Sequence, residues 1–110
     1  MKNKFLGKIV VALIVLPLLA TAQESTYFAA YPSLSPDAQN IVFSYDGDIW
    51  KVPTKGGLAS RITAMAGDEI NPKISPDGKW LAFSSNQFGN YDVYMMSVNG
   101  GDIKPLTFND

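Results

Sequence analysis

Beyond residue 22 the apolar residues come in short runs, four to six long, each stopped by Pro, Gly, Asn or Asp. No such stretch holds a helical apolar period through three turns, so the pattern predicts strands and not helices. Two runs stand out, "NIVFSY" at Asn40–Tyr45 and "WLAFSS" at Trp80–Ser85. Both are apolar enough to predict strands buried on both faces, as between stacked sheets.

The two runs belong to one repeated phrase. Residues 31–63 align with 71–107 once four extra residues are allowed in the second copy between Ser84 and Asp92. Ten of the 33 paired positions are then identical: Pro32/Pro72, Ser35/Ser75, Pro36/Pro76, Asp37/Asp77, Phe43/Phe83, Ser44/Ser84, Asp48/Asp92, Gly56/Gly100, Gly57/Gly101 and Thr63/Thr107. A period near 40 belongs to repeat architectures.

Each copy predicts four strands. The first ends at Leu34-Ser35, or Ile74-Ser75. A turn follows, with Ser35 or Ser75 first, Pro36 or Pro76 second and Gly78 fourth, an order that suits type I geometry. The first copy carries Ala38 where the second has Gly78. If that position needs positive φ, Ala38 is strained by up to about 1 kcal/mol. The third strand is expected over 49–53, or 93–98. A hairpin turn at Lys55-Gly56-Gly57, or Asn99-Gly100-Gly101, leads to the fourth, with Asn-Gly a strong signal for a two-residue loop. The fourth strand ends in Arg61-Ile62-Thr63, or Pro105-Leu106-Thr107. Pro105 cannot donate to a ladder, which predicts a sheet edge.

Four antiparallel strands repeated in this way describe the blade of a β-propeller. The expected fold is therefore all-β: two four-stranded antiparallel blades of an incomplete propeller, preceded by a signal-peptide helix. A blade apolar on both faces needs neighbours, and two blades cannot close a ring of the usual four to eight.

The N-terminus reads differently. Lys2, Lys4 and Lys8 precede a continuous apolar run over 9–20, and Ala20-Thr21-Ala22 has the small-x-small form of a cleavage site. Twelve apolar residues fall short of the roughly 20 that span a bilayer. The expected organisation is a signal peptide over 1–22 cleaved after Ala22, a lead-in over 23–30, one blade over 31–70 and a second over 71–110. The mature chain would be exported, periplasmic or extracellular, with no membrane association after cleavage.

Composition narrows the chemistry. The 110 residues carry a net charge of −1 and contain neither Cys nor His. Disulfides, Cys nucleophiles and His-dependent triads are excluded from this polypeptide acting alone. Nothing is strongly basic, so nucleic acid is not an expected partner.

"SPDGKWLAFSS" followed by "GNYDVYMMSVNGGDIKPLT" resembles the WD-like propeller repeats shared by TolB, prolyl-oligopeptidase-like peptidases and tricorn-like proteases. The resemblance covers about residues 31–107. "YDGDIWKVPTKGG" is similar to the first-blade wording of the tricorn-like group, and the first blade starts too soon after the leader for the α/β domain that precedes the TolB propeller. The resemblance implies the N-terminal propeller of an exported serine peptidase, which gates substrates and binds peptide or protein ligands. Its implied partners are further blades and a downstream catalytic core. A non-enzymatic TolB-like scaffold is the alternative it leaves open. No position here matches a catalytic residue of the family, so no catalytic, cofactor-binding or metal residue is expected in this chain, nor a cofactor.

Local signals have structural readings. Asp46-Gly47-Asp48 lacks the further ligands of a calcium loop. Asp48, Asp92, Asp37 and Asp77 read as turn carboxylates accepting backbone N–H bonds. Gly56-Gly57 and Gly100-Gly101 precede no helix and are not phosphate loops. Trp50, Trp80, Tyr91 and Tyr94 could line a peptide surface, but strand positions favour packing between blades. Ser35, Ser44, Ser75 and Ser84 stand in no nucleophile motif.

Overall fold

The structure, a computed structural model, describes residues 28–109; the expected leader over 1–22 lies outside them. Eight strands form two four-stranded antiparallel sheets, and no helix occurs among the described residues. The first sheet runs β1 (Ala30–Leu34), β2 (Asn40–Tyr45), β3 (Asp48–Pro53) and β4 (Ser60–Arg61); the second runs β5 (Glu69–Ile74), β6 (Trp80–Ser85), β7 (Asp92–Ser97) and β8 (Lys104–Pro105). Each sheet is a meander in chain order. Pro105 stands on an edge strand, as its missing N–H requires.

The repeat extends to irregularities. The β1–β2 pairing shifts register between Ala30 and Ser33, and the β5–β6 pairing between Ile70 and Lys73. In each bulge a non-glycine residue takes positive φ, Tyr31 at 53° and Asn71 at 54°, and a proline follows. Bulges at matching places bend both first strands alike. The Ser-Pro-Asp turns are also built twice. Ser35 Oγ donates to Asp37 Oδ1, which also accepts from Gln39 N at 3.0 Å, while Asn40 N donates to Ser35 Oγ at 3.0 Å. Ser75, Asp77, Lys79 and Trp80 repeat the pattern. The fourth turn position has φ of 58° at Ala38 and 76° at Gly78, so Ala38 does occupy a left-handed conformation.

Three sequence expectations need correction. The third strands begin one residue early, at Asp48 and Asp92, and β7 ends at Ser97. Asn99-Gly100 does not close a two-residue hairpin. Gly100 N donates to Ser97 O at 3.0 Å in a turn, and the connection to β8 spans 98–103. The two-residue hairpin lies instead at Asp46-Gly47, where φ of 48° and 80° carries the chain from Tyr45 to its partner Asp48. Two consecutive left-handed residues give the type I′ turn that matches strand twist. Finally, one face of each central strand is buried and the other only half-buried, because two sheets share a single junction.

The sheets stack with opposite faces together. Val42 and Ile49 from the first meet Leu81, Phe83, Tyr94 and Met96 from the second in one core. Fully burying each such side chain contributes about 1.5–3 kcal/mol. Phe83 and Tyr94 are directly paired across β6 and β7 with stacked rings. Phe43 holds the position of Phe83 in its own sheet, paired with Trp50, but on the face turned away from the junction.

Candidate functional site: the seam between the sheets

Glu69 opens β5 and is tied to the first sheet from both sides of its backbone. Its N–H donates to Gly47 O at 2.9 Å, and its carbonyl accepts from Ser44 Oγ at 2.6 Å. The approach is close enough to specify glycine nearby. A Cβ on Gly67 would lie 2.5 Å from Gln87 N, and one on Gly47 would lie 2.9 Å from Asp68 Oδ1. The four extra residues of the second copy fall in the β6–β7 connection facing Gly67. There Asn86 Oδ1 accepts from Asp68 N at 2.7 Å, so the insertion adds a clasp on the linker.

The side chain of Glu69 has no exposed surface. Its Oε1 accepts from Thr63 Oγ1 at 3.0 Å and from Met65 N at 3.3 Å, while Oε2 is buried with no hydrogen-bond partner among the described residues. Thr63 is itself committed, since Ile49 N donates to its hydroxyl oxygen at 2.8 Å. Asp48 stands beside Glu69 and holds Arg61 Nε at 3.1 Å. Burial, with the neighbouring Asp48 carboxylate adding to it, raises the Glu69 carboxyl to about 7 against the bonds from Thr63 and Met65.

At the opposite end of the sheets the two Ser-Pro-Asp turns flank an open groove of about 380 Å³, lined by Asp37, Asn40, Lys51, Ile74 and Asp77 among others. Hydrogen bonds from the serine hydroxyls, and then from the backbone N–H two residues on, hold both aspartates below the ordinary carboxylate range. These carboxylates accept from their own turns, as the sequence suggests. Asp92 and Asp48 depart from that expectation: Asp92 accepts from Asn109 N at 2.8 Å, beyond β8 and not in its own turn, and Asp48 takes Arg61 as its partner.

The four aromatic residues separate. Tyr94 is in the core, and Trp50 is half-buried with its ring edge-on to Tyr45. Trp80 and Tyr91 are 42 and 45% exposed and take no part in the seam. Trp50 also buries its indole Nε1 without a partner among the described residues. Ser44 bridges the sheets, and Ser35 and Ser75 build turns. Among the described residues no three His, Cys, Asp or Glu side chains gather as a metal site.

Glu69 is what sequence reasoning missed. The counterpart of Glu69, 40 residues earlier, is Ala29, so self-comparison could not reveal it. An acidic residue in a Gly-Asp-Glu linker ordinarily signals solvent, not burial.

Two stacked four-stranded meanders, related by a repeat that reaches their bulges and turns, define adjacent blades of a β-propeller. Residues 26–110 match the tricorn protease N-terminal beta propeller domain, and the chain belongs to that family. It is 36% identical over 72 residues to tricorn protease homolog 1 of Streptomyces coelicolor, covering 66% of this chain and 7% of the relative. It is 36% identical over 67 residues to a TolB homolog of Chlorobium luteolum, covering 61% of this chain and 15% of that protein. The crystal structure of TolB from Acinetobacter baumannii superposes with a TM-score of 0.63 at 28% identity, over 72% of this chain and 21% of that one. The chain thus spans a small part of the length of these relatives.

Proposed function

We propose that this chain is the start of the N-terminal propeller of an exported tricorn-like serine peptidase, where it gates substrates and binds peptide or protein ligands. The observation carrying this reading is the family match over residues 26–110, together with two blades joined by a seam of propeller geometry. The chain's share in the chemistry is positional. It has no His to serve as a base, so hydrolysis belongs to a catalytic core elsewhere in the parent protein. The groove between the Ser-Pro-Asp turns, with Lys51 on its wall, gives the fragment a polar surface for an extended peptide.

The leader over 1–22 carries the export reading, with Gln23 as the mature N-terminus and a periplasmic or extracellular address. A second reading rests on the TolB likeness: a non-enzymatic envelope propeller that binds partner proteins. One experiment separates them. The mature protein is purified from the envelope fraction, its N-terminus and intact mass are read, and it is assayed on unstructured peptides. The peptidase reading expects Gln23 first, a mass far above that of two blades, and hydrolysis blocked by a serine-directed inhibitor. A protein with several more blades and no hydrolysis establishes the scaffold instead.

A further inference from the structure

The seam holds a buried acid whose hydrogen bonds balance only if it carries a proton. Glu69 Oε1 has its donors, Thr63 Oγ1 and Met65 N, but Oε2 has none among the described residues. As an anion, Glu69 would leave a charged acceptor buried and unmet beside a second carboxylate. A protonated carboxyl is a donor, and the group beside it able to accept is Asp48. Asp48 is already paired with Arg61 at 3.1 Å and so is the accepting partner, which puts the donor hydrogen on Glu69. The Thr63 hydroxyl cannot supply the missing donor. Its oxygen is taken by Ile49 N, and its one hydrogen points to Oε1.

The surroundings from other elements agree. β2 presents Ser44 and β6 presents the buried Ser85, neither charged at any ordinary pH. β3 brings Asp48 and β4 brings Arg61, which are paired with each other. From the linker and the hairpin turn, Asp68 and Asp46 are exposed and acidic. None of these delivers a free cation to a Glu69 anion.

We propose that Glu69 is a proton-loaded clasp between the first two blades: protonated, it donates to Asp48 while accepting from Thr63 and Met65, and losing that proton loosens the seam. Because Glu69 also receives Ser44 through its carbonyl and gives its N–H to Gly47, loosening is transmitted to β2 and the β2–β3 turn. An exported protein meets changing acidity, and this seam tightens as the surroundings turn acid.

The sign follows from linkage. The ordinary carboxyl value of 4.5 is raised to about 7 on folding, so between those values the folded chain holds a proton that the unfolded chain does not. Stability from the clasp is complete below 4.5 and is lost as pH rises through about 7.

Residues 1–110 contain two glutamates, Glu24 and Glu69, so carboxyl-13C glutamate labelling of this stretch gives two signals. The test is the pH titration of those signals, with amide exchange at Glu69 and Ile49 compared between pH 5 and pH 8 after correction for intrinsic rates. The expected result is one glutamate titrating near neutrality and exchange across the seam on the order of a hundredfold faster at pH 8. Glu69→Gln, which keeps the acceptor and supplies a permanent donor, should remove the high titration and flatten the exchange difference. Both glutamates titrating in the ordinary range would overturn the proposal. So would a Glu69→Gln chain that keeps the pH difference, or one less protected than the unsubstituted chain at pH 8.

Discussion

The two copies of the repeat make the same hydrogen bonds to different ends. In each, the N–H of the third strand's second residue donates to a threonine hydroxyl, Ile49 to Thr63 at 2.8 Å and Val93 to Thr107 at 2.9 Å. In the second copy Thr107 passes its hydrogen to Asp92 of the same blade, at 2.9 Å. In the first it reaches across the seam to Glu69 of the next blade, at 3.0 Å. Arg61 occupies the position of Pro105 and pairs with Asp48, whereas Asp92 accepts from Thr107.

The same contrast applies to the apolar faces, where the largest effects are expected. Phe83 is buried in the seam, whereas Phe43, its equivalent, is half-buried on the outward face. Phe83→Ala should cost about 3–5 kcal/mol and abolish cooperative urea unfolding. Phe43→Ala should cost less than half as much. Equal losses would mean that the two faces are covered alike, and the single-seam description would fail.

The glycine against the second blade comes next. Gly67→Ala should cost about 1–3 kcal/mol, since its Cβ would meet backbone atoms of Gln87 and not a yielding side chain. A urea midpoint unchanged by this substitution would show that the linker has room the structure denies. Third is the threonine pair. Thr63→Val strands the Ile49 N–H and removes a donor from Glu69, and should cost about 1–3 kcal/mol. Thr107→Val, in a partly exposed place, should cost less. Losses in the reverse order would contradict a seam held through Thr63.

The contrast also explains what the sequence disclosed. The extents of β2 and β6, the Ser-Pro-Asp turns and the edge position of Pro105 were legible because each depends on local chemistry, such as apolar runs, a fixed proline φ or a missing N–H. The seam was not legible. Phe43 faces away from the other sheet and Phe83 toward it, yet their local sequences are nearly the same. Trp80 sits on the face of β6 opposite Leu81 and Phe83, and Tyr91 in the loop before β7, and both stay exposed. Asp48 and Asp92 are identical in type and alignment, and a residue 13 positions away separates their roles. The two-residue turn at Asp46-Gly47 is carried by the strong Asp-Gly pair, whose left-handed backbone, not its carboxylates, sets the hairpin.

The smallest expected effect tests the equivalence of the copies most directly. Ala38 and Gly78 close matching turns, and both residues have positive φ, 58° and 76°. Around Gly78 a Cβ would meet nothing within 4 Å, so the side chain is opposed by backbone conformation alone. Ala38→Gly should then stabilise the chain by about 0.5–1 kcal/mol, and Gly78→Ala should destabilise it by a similar amount. Exchanging the two residues should leave stability nearly unchanged, because the turns lie on separate blades and the two effects add. Urea midpoints of the single variants and the exchange decide it. If the exchanged chain falls well below the original, the turns differ in ways their matching hydrogen bonds do not express. The groove they flank, with Asp37 on one wall and Asp77 on the other, would then be asymmetric in energy as well as in sequence.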